Sequence, residues 1–220
     1  MKGDRIPVSV LAVQRIDNVS PDLARALHLT DGQRALGILT TDCDDATYLA
    51  LDEATKAAAV EVVYAKSFYA GAANASTRLA GEVIGILAGP SPSEVESGLG
   101  AALRFLKTAG FRKADDEGTV VYLAHTQART GTYLSALAEI PEGSALAYLI
   151  APPAEAVVGL DAAMKAADVE MVLFFPPPSE TNFAGGLLTG TESACRAAAD
   201  AFAETVEAVA AEPKGGRTWN

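Results

Sequence analysis

The sequence predicts an α/β protein, an α+β sandwich built as two tandem homologous halves, each a small sheet flanked by helices. Three observations predict it. Half of the 220 residues are hydrophobic, 44 of them alanine, and 20% are charged, so the chain can bury a core and is not disordered. An internal repeat divides it: Leu51–Val63 lines up with Leu160–Val172, with nine of 13 pairs identical at an offset of 109. Short β-branched runs bounded by Gly, Pro or Asp alternate with helical segments in the same order in both halves.

In the first half a strand at Val8–Val13 precedes a short helix at Pro21–His28, a strand at Ala35–Thr40 and a helix at Ala46–Ala58. A third strand, Val60–Ala65, leads through a loop to a fourth at Glu82–Ala88, and a helix at Pro92–Lys107 closes the half. The second half repeats this order. Its strands fall at Thr119–His125, Ala145–Ala151, Val169–Phe175 and Phe183–Leu188, and its helices at Thr132–Ala138, Ala154–Ala167 and Glu192–Ala210. Helix starts carry their own signals. Ser20-Pro21 sets a capping serine before a proline at the first helical position, and Ser91-Pro92-Ser93-Glu94 has the capping-box spacing. His28 ends a short helix, where a protonated imidazole complements the dipole.

Two further blocks extend the repeat: Ala35–Leu39 matches Ala145–Leu149 at offset 110, and Gly85–Gly89 matches Gly186–Gly190 at offset 101. The fall in offset removes about eight residues between the third and fourth strands of the second copy. The halves meet near Gly110, which gives domains 1–110 and 111–220. After Pro213 the tail has no periodicity; it is expected to fray, with Trp219 outside the core.

Composition excludes several classes. Seventeen basic against 28 acidic residues leave a net charge of −11, which repels phosphate backbones, so nucleic acid is not an expected partner. No apolar run approaches the roughly 20 residues of a membrane helix, and no secretory signal is expected at the N-terminus. Two cysteines, Cys43 and Cys195, fit a reducing cytoplasm rather than a disulfide framework. Neither has C-x-x-C spacing, and no G-x-S-x-G, H-E-x-x-H or phosphate-binding glycine loop occurs. No enzyme and no cofactor is expected.

The block from Ala35-Leu36-Gly37-Ile38-Leu39 through Leu51-Asp52-Glu53-Ala54-Thr55-Lys56-Ala57-Ala58 to Gly89 resembles the shell domain of bacterial microcompartments. Both halves look like it, so the chain resembles the tandem-domain shell proteins that form trimers. The strand and helix normally found at the end of that domain here precede it, which is the circularly permuted arrangement. Longer strings narrow the resemblance: Asp42-Cys43-Asp44-Asp45-Ala46-Thr47-Tyr48, Val63-Tyr64-Ala65-Lys66-Ser67-Phe68-Tyr69-Ala70-Gly71-Ala72, Ala128-Arg129-Thr130-Gly131-Thr132-Tyr133-Leu134 and Pro176-Pro177-Pro178-Ser179-Glu180-Thr181-Asn182-Phe183 are similar to the L-type shell proteins of ethanolamine-utilisation compartments. The resemblance implies a microcompartment shell within the cytoplasm, a homotrimer, other shell proteins as partners, and ethanolamine as ligand. It also implies the ligand residues Asp44, Asp45, Glu82, Phe111, Thr181, Asn182 and Phe183.

On their own, these residues admit simpler readings. Asp42, Asp44 and Asp45 fit a helix cap with acidic residues in the first turn, each favoured by about 0.3–1 kcal/mol, or a site for a small cation lining a pore. No D-x-D-x-D-G loop follows, so no metal site is expected. Glu82 is either a solvated strand-edge residue or part of the same site. The chemistry of the implied set is coherent: carboxylates meet an ammonium, Thr and Asn serve an alcohol, and aromatic faces attract a cation. Asp45 and Glu82 are expected at the ends of elements, outside a core. The loop Tyr69–Ser76, absent from the second copy, is expected at the trimer axis, gating a central pore.

The leading function is a non-catalytic shell subunit whose trimer, with two domains per chain, forms a pseudohexamer with pores for small molecules. The alternative is a soluble trimeric ligand-binding sensor that does not assemble further. Layer formation separates the two.

Overall fold

The structure, a computed structural model, describes residues 1–67, 82–177 and 183–215. Two compact units are present. The amino-terminal unit is Pro7–Gly110 with Thr130–Leu137, and the carboxy-terminal unit is Met1–Ile6, Phe111–Arg129 and Ala138–Asn220. Each unit therefore takes in one short segment from the other half of the sequence.

In the amino-terminal unit β1 (Val10–Ile16), β2 (Ala35–Thr41), β3 (Glu61–Ser67) and β4 (Val83–Gly89) form an antiparallel sheet ordered β1-β2-β4-β3. The short α1 (Pro21–Ala26) joins β1 to β2, while α2 (Asp44–Ala57) and α3 (Pro92–Leu106) pack on one another and on the sheet. Leu36, Leu39, Leu49, Leu51 and Leu87 are at most 1% exposed, and each such side chain contributes about 1.5–3 kcal/mol by burial. The helices approach closely because the sheet is glycine-floored. A Cβ on Gly85 would lie 2.5 Å from Leu51, and one on Gly37 would lie 2.7 Å from Val95.

The carboxy-terminal unit carries β5 (Arg112–Lys113), β6 (Val121–Gln127), β7 (Ala145–Ala151), β8 (Val169–Phe175) and β9 (Ala184–Gly190) in the order β5-β6-β7-β9-β8. Without β5, this is the strand order of the other unit. One bulge matches too: the register shifts between Val62 and Tyr64 in one unit and between Met171 and Leu173 in the other. α5 (Pro153–Ala166) and α6 (Glu192–Ala211) cover the sheet over a core that includes Leu149, Leu160, Leu188 and Phe202. The amino-terminal segment extends β5: Ile6 N–H donates to the Phe111 carbonyl at 2.8 Å and Lys113 N–H to the Asp4 carbonyl at 3.0 Å. The remaining helix, α4 (Thr132–Ala138), is grouped with the amino-terminal unit through Leu137.

The strands and helices read from the sequence are present, with ends moved by a few residues. β1 runs on to Ile16, and α2 starts at Asp44 rather than Ala46. β5 went unforeseen because two residues carry no periodicity. Ser20 Oγ accepts the Leu23 N–H at 3.4 Å and Ser91 Oγ accepts the Glu94 N–H at 3.3 Å. Only half of the capping box forms, because the Glu94 carboxylate accepts the Ala59 N–H instead, at 2.7 Å. His28 lies beyond the end of α1 with φ +55°, and Glu139 beyond α4 with φ +54°. The loop Tyr69–Ser76 and Trp219 lie outside the described residues.

Candidate functional site

The acidic cluster sits where β2 hands over to α2 in the amino-terminal unit. Thr41 is the last residue of β2 and pairs with Val83, the first of β4. That register brings Asp42, which follows Thr41, and Glu82, which precedes Val83, to one end of the sheet. Asp42 is held by Ser9, whose N–H donates to Asp42 Oδ1 at 2.7 Å while Asp42 N–H donates to the Ser9 carbonyl at 3.1 Å.

The turn into the helix is built by Thr41, Cys43 and Thr47. Cys43 N–H donates to Thr41 Oγ1 at 3.1 Å, the two threonine hydroxyls lie 2.7 Å apart, and Thr47 Oγ1 donates to the Cys43 carbonyl at 2.8 Å. Cys43 is the N-cap and makes no side-chain cap bond, so the aspartates are not caps. Asp44 and Asp45 occupy the first turn, where the helix dipole favours them. Asp44 Oδ1 accepts the Asp45 N–H at 2.8 Å. Burial holds the Cys43 thiol well above its usual value, reinforced by the charges of Asp45, Asp44 and Asp42, so Cys43 stays a protonated thiol and not a nucleophile.

The expectation that Asp45 stands outside a core needs correction. Asp44 is 4% exposed and Asp45 7%; α2 is covered on that side as well as on its sheet side. Glu82, one residue before β4, is half-buried.

The covering element is α4. Asp52, on α2 and fully buried, accepts the Gly131 N–H at 2.8 Å and the Leu134 N–H at 2.9 Å. Thr55 Oγ1 accepts the Thr132 N–H at 3.1 Å, and Lys56 Nζ stands 3.8 Å from Asp52. Tyr48 and Tyr133 bring their rings to 6.3 Å. Burial raises the Tyr133 hydroxyl, with Asp52 and then Asp45 adding to the rise. Sequence reasoning used Asp52 only as part of the repeat. The available signal was a carboxylate amid alanines, paired with the Thr130-Gly131-Thr132 helix entry that lacks an Asp, Asn or Ser cap.

In the carboxy-terminal unit Phe111 is fully buried and meets Phe183 at 5.5 Å between ring centroids, tilted by 60°. Thr181 and Asn182 lie outside the described residues. His125 Nε2 lies 3.1 Å from Gln127 Oε1, a partner not visible in sequence. Among the described residues no group of three or more His, Cys, Asp and Glu is placed to hold a metal ion, and no helix is long and apolar enough to cross a membrane.

Residues 35–113 match the BMC domain family, and a second sheet of the same order follows, so fold and repeat define a tandem-domain shell protein of bacterial microcompartments. The bacterial microcompartment shell protein EutL of Clostridium perfringens is 62% identical over 216 residues, 98% of this chain and 100% of the relative. The crystal structure of ethanolamine utilization protein EutL from Leptotrichia buccalis is similar with a TM-score of 0.93 at 62% identity, covering 97% of this chain and 99% of that one. A trimeric bacterial microcompartment shell protein, PduB, shares the fold with a TM-score of 0.73 at 23% identity, over 93% and 89% of the two chains. The chain belongs to the EutL family of bacterial microcompartment shell proteins, and its role is that of a structural shell component, not a catalyst.

Proposed function

We propose that this chain forms a homotrimer that tiles a microcompartment shell beside other shell proteins and lets small molecules, ethanolamine among them, pass. The observation that carries the reading is the 62% identity to EutL over 98% of the chain, joined to the repeated strand order that supplies two like domains per copy. We take each half, 1–110 and 111–220, as one permuted shell domain.

Asp44, Asp45 and Glu82 are the candidate residues for the amine. Carboxylates gathered at one end of a sheet favour a protonated amine over an aldehyde or an anion, because a cation relieves their mutual repulsion. Thr181 and Asn182 are candidates for the alcohol, and the ring faces of Phe111 and Phe183 for the cation. Binding is weak by this account: a ligand of four heavy atoms is bounded at about −1.5 kcal/mol each, or tens of micromolar. Weak binding suits passage, since what enters must leave.

Calorimetric titration with ethanolamine, alongside light scattering, tests both parts. The wild type is expected to be a trimer that binds ethanolamine, and Glu82→Gln to weaken binding while the trimer stays intact. Glu82→Gln is the cleaner variant, because Asp45 is buried. Unchanged binding in Glu82→Gln and Asp45→Asn together would leave the carboxylates as parts of the fold only.

A further inference from the structure

The joint between β2 and α2 is held by a closed ring of hydrogen bonds that begins and ends on one residue. Cys43 N–H donates to Thr41 Oγ1 at 3.1 Å, and Thr47 Oγ1 donates to the Cys43 carbonyl at 2.8 Å. A hydroxyl has one hydrogen to give, so across the 2.7 Å between the two hydroxyls Thr41 is the donor. Thr41, Cys43 and Thr47 are all fully buried. The ring fixes the peptide on either side of Cys43, and those two peptides are the chain between Asp42 and Asp44.

The second half makes the same joint without any of this. Thr41 pairs with Val83 at the end of its sheet as Ala151 pairs with Ala184. The N-cap is Cys43 in one half and Pro152 in the other, and neither makes a side-chain cap bond. Thr47 N–H donates to the Cys43 carbonyl at 3.3 Å, and Ala156 N–H to the Pro152 carbonyl at 2.8 Å. Thr41 and Thr47 thus correspond to Ala151 and Ala156, both fully buried. Asp44, Asp45 and Glu82 correspond to Pro153, Ala154 and Phe183, and Asp42 is an extra residue with no counterpart. Hydroxyl ring and carboxylates occur together in one half and are absent together from the other. A strand-to-helix joint of this fold therefore needs neither.

We infer that Thr41 and Thr47 are positioning residues for the amine site, holding the Cys43 turn so that Asp44 and Asp45 are set in one geometry before a ligand arrives. The inference deepens the proposed amine reading and rests on it. Asp42, Asp44 and Asp45 put three carboxylates into four residues, and like charges this close repel one another. A freely hinged turn would part them. The ring opposes that at the two peptides between Asp42 and Asp44. Groups already held in their bound geometry bind more tightly, because less freedom is lost on binding. Both threonines, being fully buried, act through the carboxylates and touch no ligand.

Thr47→Val tests the role, because it opens the ring without stranding a buried group. The Thr41 hydroxyl then turns to the Cys43 carbonyl, 3.0 Å away, and still accepts the Cys43 N–H. Thr47→Ser keeps the hydroxyl and the ring. Thr47→Ala, the residue found at this place in α5, stands in if the valine variant does not fold. Each protein is titrated with ethanolamine in a calorimeter, and its urea midpoint is measured alongside. Ethanolamine is expected to bind Thr47→Val about tenfold more weakly than wild type, the low end of what losing a ligand-orienting partner costs at metal sites. Thr47→Ser is expected to bind like wild type, and the two variants to share nearly the same midpoint. Equal affinities in wild type and Thr47→Val would overturn the positioning role and leave the amine reading standing. An affinity that falls only in step with the midpoint, in Thr47→Ser as in Thr47→Val, would reduce the threonines to parts of the fold. A wild type that does not bind ethanolamine would overturn both.

Discussion

The carboxylate of Asp52, fully buried, accepts the N–H of Gly131 at 2.8 Å across 79 residues of chain. With the Leu134 N–H at 2.9 Å, it satisfies the start of a helix that has no capping side chain of its own. A segment of the second half is thereby stitched into the unit formed by the first.

Asp52→Ala leaves these two N–H groups without their acceptor. A cost of about 1–3 kcal/mol per unsatisfied buried donor follows, so the urea midpoint should fall clearly at fixed protein concentration. Asp52→Asn, which keeps one acceptor oxygen, should fall between wild type and Ala. Equal midpoints in all three proteins would show that Asp52 does not hold α4.

Thr130 opens the same segment and is 2% exposed, and among the described residues its hydroxyl is the buried side-chain polar atom with no hydrogen-bond partner. The repeat places Val19 at the corresponding position. Thr130→Val keeps the shape and removes the unsatisfied group, so it should raise stability by about 1 kcal/mol. A lower midpoint in the variant would mean the hydroxyl has a partner in solution.

His28 and Glu139 both carry a side chain at positive φ, +55° and +54°, one beyond each of the two short helices. Left-handed backbone costs a residue with a Cβ about 1–2 kcal/mol. Part of that is recovered on substitution, offset by the greater freedom of glycine in the unfolded chain. Glu139→Gly should therefore stabilise by about 0.5–1 kcal/mol, and Glu139→Val should destabilise. The order Gly above Glu above Val in thermal midpoint is the check.

Much of this architecture was legible in the sequence, because strands and helices report through local pattern. Ser20-Pro21 and Ser91-Pro92 mark helix starts through chemistry confined to a few residues, and the Leu51–Val63 repeat announces two like sheets. What escaped lies in long-range contact. Nothing near Asp52 in sequence says that its partner is Gly131, and nothing near Asp44 and Asp45 says that they are buried beneath other elements. Glu94 satisfies the spacing of a capping box, yet a closer donor, Ala59 N–H, takes its carboxylate. Nor does anything near Phe111 say that its ring is buried against Phe183.

Acid should loosen the turn that leads into β6. Burial pushes the Asp115 carboxyl up, but the N–H groups of Val120, Thr119 and Gly118 more than offset it, and its affinity for protons ends below the ordinary value. Val120 N–H and Thr119 N–H each donate to the carboxylate at 2.8 Å. A carboxyl with a depressed folded pKa adds stability above the unfolded value of about 3.9 and loses it as pH falls further. Between pH 6 and pH 3 the wild type should lose more stability than Asp115→Asn, by a small margin because the group is only partly buried and water screens it. Parallel losses in the two proteins would remove Asp115 from the account.

The central claim is that this chain is a tile, and electron microscopy of the purified protein tests it most directly. The account predicts flat two-dimensional layers in which trimers of six like domains repeat as pseudohexamers. Separate trimers at every concentration and salt condition tried, with no layers, would contradict the shell reading and favour a soluble trimeric ligand-binding protein.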